Sequence, residues 1–272
     1  MEVFGNKLNV RDYYTLTTYY RLILPETFIN VKKALYLDSD IVLLDDVAKL
    51  YNVDIGDNLV GAIKDSSVQL FPEFITYVEK ALQIPHEQYF NAGILVMNFK
   101  KMRQVKFEKQ IINLVKKVSF KVAQDQDLLN VVCKDKVTYI PVEWNTMPLG
   151  DRVAAPSLIH FNLTLKPWKR NDVLYEEVFW DYAGKAGVKE ELFGIKSLIT
   201  PEMTAQQEQG LENLKKLCLS EARRRQYYSG IKKAQEEPVT EREEVLQKIA
   251  LFEKEGKFDQ DVENDPPSRL LK

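Results

Sequence analysis

Two carboxylates stand at i and i+2 where an apolar run breaks off, in Ala34-Leu35-Tyr36-Leu37-Asp38-Ser39-Asp40-Ile41-Val42. Alternate residues of an extended chain share a face, so Asp38 and Asp40 can turn toward one hard divalent cation. Turn capping is the plainer alternative, but two charges that interrupt a buried run are costly without a partner. Of only two histidines, His160 ends the apolar run Leu158-Ile159-His160-Phe161 and lies six residues before Lys166. That spacing suits an imidazole ligand beside a phosphate-binding ammonium. The other, His86, follows Pro85 in a polar stretch and reads as structural. In Tyr89-Phe90-Asn91-Ala92-Gly93 small residues open an apolar run, which lets backbone approach a ligand closely. Gln124-Asp125-Gln126-Asp127 puts four polar residues at the head of a helix, more than N-terminal capping requires.

Positioning such side chains takes a rigid frame, and the pattern between them predicts one. Runs rich in Val, Ile and Leu predict strands at 34–37, 59–63, 93–98, 137–140 and 158–161. Between them the pattern predicts helices over 13–24, 107–118 and 125–133, the second with Ile111, Ile112, Leu114, Val115 and Val118 opposite lysines, and an aromatic packing face over 173–183. That rhythm predicts an α/β domain around a largely parallel sheet, with ligands at the carboxyl ends of its strands. Farther on, Thr200-Pro201 caps and opens a helix with the stripe Leu211, Leu214, Leu217 and Cys218. Thr240-Glu241-Arg242-Glu243 is a capping box ahead of Val245, Leu246, Ile249, Leu251 and Phe252, with Gly256 as a stop. The divisions predicted are a main domain over 1–190, a helical region over 191–258 and a tail over 259–272.

With 272 residues, 45% hydrophobic and 29% charged, the chain can bury a large core, and collagen-like, disordered and disulfide-stapled classes are excluded. Its 38 basic and 40 acidic side chains leave a net charge of −2, so no overall field favours nucleic acid and any phosphate contact must be local. Cys133 and Cys218 each stand alone, which removes thiol-pair chemistry and zinc ribbons. The first residues lack the basic flank and apolar stretch of a secretory signal, and no apolar run is long enough to span a bilayer. The chain therefore reads as cytoplasmic, with a peripheral contact at the inner face of the membrane left open.

Taken in order, Tyr19-Tyr20-Arg21-Leu22, Leu37-Asp38-Ser39-Asp40, Phe90-Asn91-Ala92-Gly93, Asp125-Gln126-Asp127 and His160 through Lys166-Pro167-Trp168 resemble family 8 of the glycosyltransferases, retaining enzymes of the GT-A type. The resemblance covers roughly residues 8–184. It implies the GT-A (nucleotide-diphospho-sugar transferase, Rossmann-like) α/β fold with a C-terminal helical appendage. The implied activity is transfer of glucose or galactose from a uridine diphosphate sugar to a glycan or glycolipid acceptor in lipopolysaccharide or cell-surface polysaccharide synthesis. The implied cofactor is Mn2+, or Mg2+, held by Asp38, Asp40 and His160, with positions left for the donor phosphates. By the same resemblance Arg21, Asp38, Ser39, Asp65, Asn91, Ala92, Gly93 and Lys166 bind the donor. Asp65, Asn91 and Asp125 would meet sugar hydroxyls, and Gln126 would lie beside the anomeric carbon, making Asp125 and Gln126 the catalytic pair. No protein base is implied, since the leaving phosphate can take the acceptor proton.

Two departures qualify the resemblance. The family writes His-x-x-Gly-x-x-Lys-Pro-Trp, and here Leu163 replaces the glycine that lets backbone meet the diphosphate, which implies a shifted loop or a site that works without it. The strand and βα units that precede the Arg21 helix in family members have no counterpart in residues 1–10. The chain is thus expected to be incomplete at its N-terminus, poorly active alone, and served by an oligomer or a complementing N-terminal segment. Two rivals stand beside this reading. One is a haloacid-dehalogenase-type phosphatase, whose strand also ends in Asp-x-Asp but whose downstream motifs are missing; the other is a non-catalytic scaffold that binds partners through the C-terminal helices.

Overall fold

The computed structural model describes residues 16–224 and 226–236. Strands β1 (Ala34–Leu37), β2 (Ile41–Leu43), β3 (Val60–Lys64), β4 (Phe90–Met97), β5 (Val137–Tyr139) and β6 (Leu158–His160) form a four-stranded sheet ordered β1-β4-β3-β5 and a separate pair, β2-β6. β1, β3 and β5 share one direction, while β4, inserted between β1 and β3, runs against both. The expected parallel character therefore holds for strand direction, whereas among the described strands only β3 and β5 pair in parallel. β4 is buried along its whole length, as its unbroken apolar run demands of a central strand.

β4 carries one irregularity. Ala62 pairs with Leu95, yet the next residue, Ile63, pairs with Asn91, so β4 bows away from β3 between these points. The faces report the same slip. Phe90 and Ala92 point into the main core, then Leu95 and Met97 do, while Ile94 and Val96 point to the other side. A bulge re-aims side chains and frees backbone groups locally, and here it does so over Ala92-Gly93.

Helices cover both sheets. A 3₁₀ turn, Leu16–Leu22, leads into α1 (Leu24–Thr27), where one continuous helix was expected over 13–24. Pro25 has no N–H to bond backward, so the chain restarts there; 13–15 lie outside the described residues. Then come α2 (Val47–Tyr51), α3 (Ser66–Leu70), α4 (Pro72–Tyr77, widening into a π turn at Val78–Leu82), α5 (Phe99–Gln104), α6 (Phe107–Lys117) and α7 (Gln124–Val132). After β6 come α8 (Glu176–Lys185), α9 (Lys189–Lys196), α10 (Pro201–Ala222) and α11 (Gln226–Glu236).

The main core lies between one face of the larger sheet and α4 through α7, with a second cluster of Leu50, Ile55, Ile94, Val96 and Trp144 on the opposite face. A third packs β2 and β6 against α8, where Phe179 stacks on Trp168 and meets Phe161 edge-on, the aromatic face expected over 173–183. α10 starts as its spacing predicts, with the Thr200 hydroxyl accepting the Met203 N–H at 3.3 Å and Pro201 in the first turn. Its stripe lies on α4, α11 lies on α6, and Cys218, Tyr227, Ile231 and Ala234 join the main core. The capping box at 240–243, the stripe and stop after it, and the tail lie outside the described residues. Among the described residues no helix is long and apolar enough to cross a membrane.

Candidate active site

The two sheets meet at the aspartates. The Asp38 N–H donates to the Gly93 carbonyl at 2.8 Å, extending the β1–β4 ladder by one residue, and Ser39-Asp40 then carries the chain across to β2. β2 pairs with β6 so that Ile41 faces His160, and the Phe161 N–H donates to the Asp40 carbonyl at 2.9 Å. One ligand atom from each of Asp38, Asp40 and His160 lies within 4.8 Å of the others. His160 Nε2 is 3.3 Å from Asp40 Oδ1 and 3.8 Å from Asp38 Oδ2. Gly93 makes this approach possible, because a Cβ there would overlap the His160 ring and come 2.7 Å from Asp38 Oδ2.

His160 is 1% exposed, with Nδ1 2.9 Å from Asn145 Oδ1 and Nε2 without a hydrogen bond. An orphaned buried nitrogen facing two carboxylates is the arrangement that a shared cation satisfies. Two oxygens and an imidazole nitrogen, with the rest of the sphere open, suit a metal of the manganese or magnesium class. Burial works to raise the Asp40 carboxyl, and the Lys166 ammonium beside it pulls it down. Lys166 Nζ lies 2.5 Å from Asp40 Oδ2 and also donates to the Phe161 carbonyl at 3.0 Å.

Arg21 ties this trio to the rest of the site. Its Nη2 donates to Asp38 Oδ1 at 3.0 Å, its Nη1 to the Ala92 carbonyl, and its Nε to the Thr18 carbonyl at 3.0 Å, with Asp125 Oδ2 3.1 Å from the same Nε. Each of its three nitrogens thus has a protein partner, so the residue expected to hold the donor is engaged here in fixing carboxylates. Tyr36 lies beneath the guanidinium, 4.2 Å from the ring centroid, and its hydroxyl donates to Asp38 Oδ1 at 2.9 Å. Burial pushes that phenol above its ordinary value despite the opposing pull of Arg21, so it stays a donor.

The bulge in β4 and the head of α7 build the second half. Gln126 Oε1 accepts from the Ala92 N–H at 2.9 Å and from Asn91 Nδ2 at 3.3 Å, and its Nε2 donates to Asp65 Oδ2 at 2.9 Å. Asn91 Nδ2 also donates to Asp65 Oδ2, at 3.2 Å, while Asn91 Oδ1 accepts the Gly93 N–H at 2.9 Å. Asp65 caps α3 through its other oxygen, which accepts the Ser67 N–H at 2.9 Å. The three side chains form one closed hydrogen-bonded triangle. Asn130 pins α7 to the start of β4, accepting the Phe90 N–H at 2.9 Å and donating to the Phe90 carbonyl at 2.8 Å. Asp127, fully buried, accepts from Tyr77, Tyr89 and the Ala123 N–H at 2.7–3.0 Å. Asp125 is 2% exposed; burial pushes its carboxyl up to about 7, with Arg21 pulling down and Asp38 pushing up.

Most residues singled out in the sequence therefore converge, with two particulars. Ser39 is exposed between the aspartates. Leu163 has φ of +48°, the left-handed conformation that a glycine adopts freely and a leucine adopts at a cost. Tyr36 and Asn145 were missed. Tyr36 had a signal, since two residues before Asp38 it shares that face of the strand; Asn145 had none that is local.

Residues 2–172 match the family model for glycosyl transferase family 8. A putative glycosyltransferase of Haemophilus influenzae is 34% identical over 146 residues, covering 53% of this chain and 43% of that protein. Lipopolysaccharide 1,2-glucosyltransferase of Escherichia coli is 27% identical over 162 residues, covering 52% and 46%. The chain spans less than half the length of either relative. The crystal structure of galactosyltransferase LgtC in complex with donor and acceptor sugar analogues superposes with a TM-score of 0.54 at 27% identity, covering 76% of each chain. The fold is thus the expected GT-A fold with a helical C-terminal region, and the phosphatase reading has no support. On the family model and on the residues that assemble around Asp38, the chain belongs to glycosyl transferase family 8.

Proposed function

We propose that this chain carries the donor site of a retaining hexosyltransferase that moves glucose or galactose from a uridine diphosphate sugar to a glycan or glycolipid acceptor of lipopolysaccharide or another cell-surface polysaccharide. The observation that carries the proposal is the meeting of Asp38, Asp40 and the orphaned Nε2 of His160, one arginine side chain away from Asp125. Those three residues would hold Mn2+ or Mg2+. A cation bound there supplies Lewis-acid charge for the departing diphosphate. Lys166, already drawn to the same spot by Asp40, adds an ammonium for phosphate oxygens.

Asp65, Asn91 and Gln126 hold one another in place, so their remaining hydrogen-bonding capacity is oriented before a sugar arrives. Gln126 has no nucleophilic strength; its amide dipole is suited to steadying a positive anomeric centre. Asp125 would accept from a sugar hydroxyl. With no carboxylate free to act as nucleophile, the acceptor attacks the face the diphosphate leaves, and its proton goes to the phosphate. The donor and acceptor sugar analogues bound by LgtC and the lipopolysaccharide named for the Escherichia coli relative support a sugar donor and a lipopolysaccharide acceptor.

The test is binding and turnover together. With manganese and UDP-glucose or UDP-galactose, the chain should bind the nucleotide sugar only with metal present, and any sugar released or transferred should keep the donor's anomeric configuration by NMR. Asp40→Asn should abolish both. Inverted product, or nucleotide-sugar binding indifferent to metal and to Asp40, refutes the proposal.

A further inference from the structure

We propose that Asn145 is the positioning residue that sets His160 in the tautomer able to ligate a metal; this rests on the metal-site reading above. Asn145 closes the 3₁₀ turn Val142–Asn145 and is 0% exposed, with Oδ1 2.9 Å from His160 Nδ1. An amide oxygen only accepts and an amide nitrogen only donates, so whichever end of Asn145 faces the ring dictates where the imidazole proton sits. With oxygen facing it, Nδ1 carries the proton and the Nε2 lone pair looks at Asp40 Oδ1 and Asp38 Oδ2, 3.3 and 3.8 Å away. Lone pair then faces lone pairs, which explains why a nitrogen so close to two carboxylates makes no hydrogen bond. Such a gap is stable around a cation.

The opposite tautomer would put a proton on Nε2, donate it to Asp40 and close the site without metal. That tautomer needs the Asn145 amide turned so that Nδ2 faces the ring; the backbone around Asn145 fixes where the amide stands. The Thr146 N–H donates to the Leu158 carbonyl at 2.9 Å, and the His160 N–H donates to the Thr146 carbonyl at 2.9 Å, with Thr146 bridged to Ile159. Asn145 is therefore held in register with the histidine it orients, as the second partners of metal-bound histidines are.

The test compares Asn145→Leu, which keeps the volume and removes the acceptor, with Asn145→Asp, which keeps an acceptor for Nδ1–H. The measurements are manganese affinity by electron paramagnetic resonance without donor, and two-bond ¹H–¹⁵N spectra of the imidazoles, where only His86 and His160 contribute. Wild type should show His160 protonated at Nδ1 before metal is added. Asn145→Leu should move the proton to Nε2 and weaken manganese binding on the order of 10- to 100-fold, while Asn145→Asp stays near wild type. A wild-type proton on Nε2, a leucine variant that binds metal as well as wild type, or an aspartate variant as weak as the leucine one overturns the proposal. If Asn145→Leu fails to fold, the wild-type spectrum and the aspartate affinity decide alone. Wild type that binds no manganese would instead sink the metal-site reading itself.

Discussion

Asp125→Asn should make the protein more stable and less active, with the gain in stability confined to neutral and alkaline pH. Asp125 is shut away from water, and burial carries its carboxyl from 3.8 to about 7 even with Arg21 3.1 Å away. The folded value lies above the unfolded one. Between them the folded protein keeps a proton the unfolded chain has lost, so the stability associated with the neutral carboxyl is full below about pH 4, declines as pH rises, and is gone above about pH 7. A difference of about three pH units at about 1.36 kcal/mol each is about 4 kcal/mol. Asparagine copies the neutral acid in shape, so the variant should gain up to about 4 kcal/mol over wild type at pH 8 and nothing at pH 4. For a chain of this size that is a rise in Tm of roughly 8–16 °C at pH 8. Urea unfolding at both pH values, in EDTA to keep cations away, measures it, and on the role proposed for Asp125 sugar transfer should fall. Equal stability at pH 8, or a loss, would refute the reasoning and show that the Arg21 pair outweighs the cost of burying the charge.

The geometry implies three more outcomes. Gly93→Ala should abolish manganese binding, measured by electron paramagnetic resonance, because the added methyl must push His160 and Asp38 apart. At Leu163 the left-handed backbone costs an L-residue about 1–2 kcal/mol, and a β-branched side chain suffers most there, so Leu163→Gly should melt well above Leu163→Val by calorimetry. Tyr227→Phe removes the hydroxyl that donates to Glu221, a carboxylate buried where α10 and α11 meet the core, and should cost about 1–3 kcal/mol in urea while leaving manganese affinity unchanged.

What the sequence disclosed divides along physical lines. β1 was readable to the residue because four apolar positions stop at a charge, and α6 because eleven residues give the 3.6 period room to show. α2, α3, α4 and α5 have five or six residues and carry no such period, and β2 is three residues hidden in the run that contains the aspartates. Asp38, Asp40, His160 and Lys166 stood out because each is a charge or imidazole set in or beside apolar chain. Asn145 and Tyr77 did not, since the side chains they hold lie 15 and 50 residues away, and local pattern carries no record of such pairings.

The glycine of Asn91-Ala92-Gly93 shows how a signal can be right for a reason other than the obvious one. Small residues there suggested close approach by a ligand. Their nearest demand is internal: the strand bulges so that the Ala92 N–H and carbonyl reach Gln126 and Arg21, and Gly93 leaves room for the imidazole to face Asp38. Because the slip lies between Ala62 and Ile63 on the partner strand, the residues after it keep their pairing with β1, and Asp38 is delivered by regular ladder geometry while Asn91 is delivered by its interruption. A variant that restored regular pairing would therefore turn Asn91 and Ala92 away from Gln126 while leaving β1 in register, separating the Asn91–Gln126 half of the site from the Asp38–His160 half.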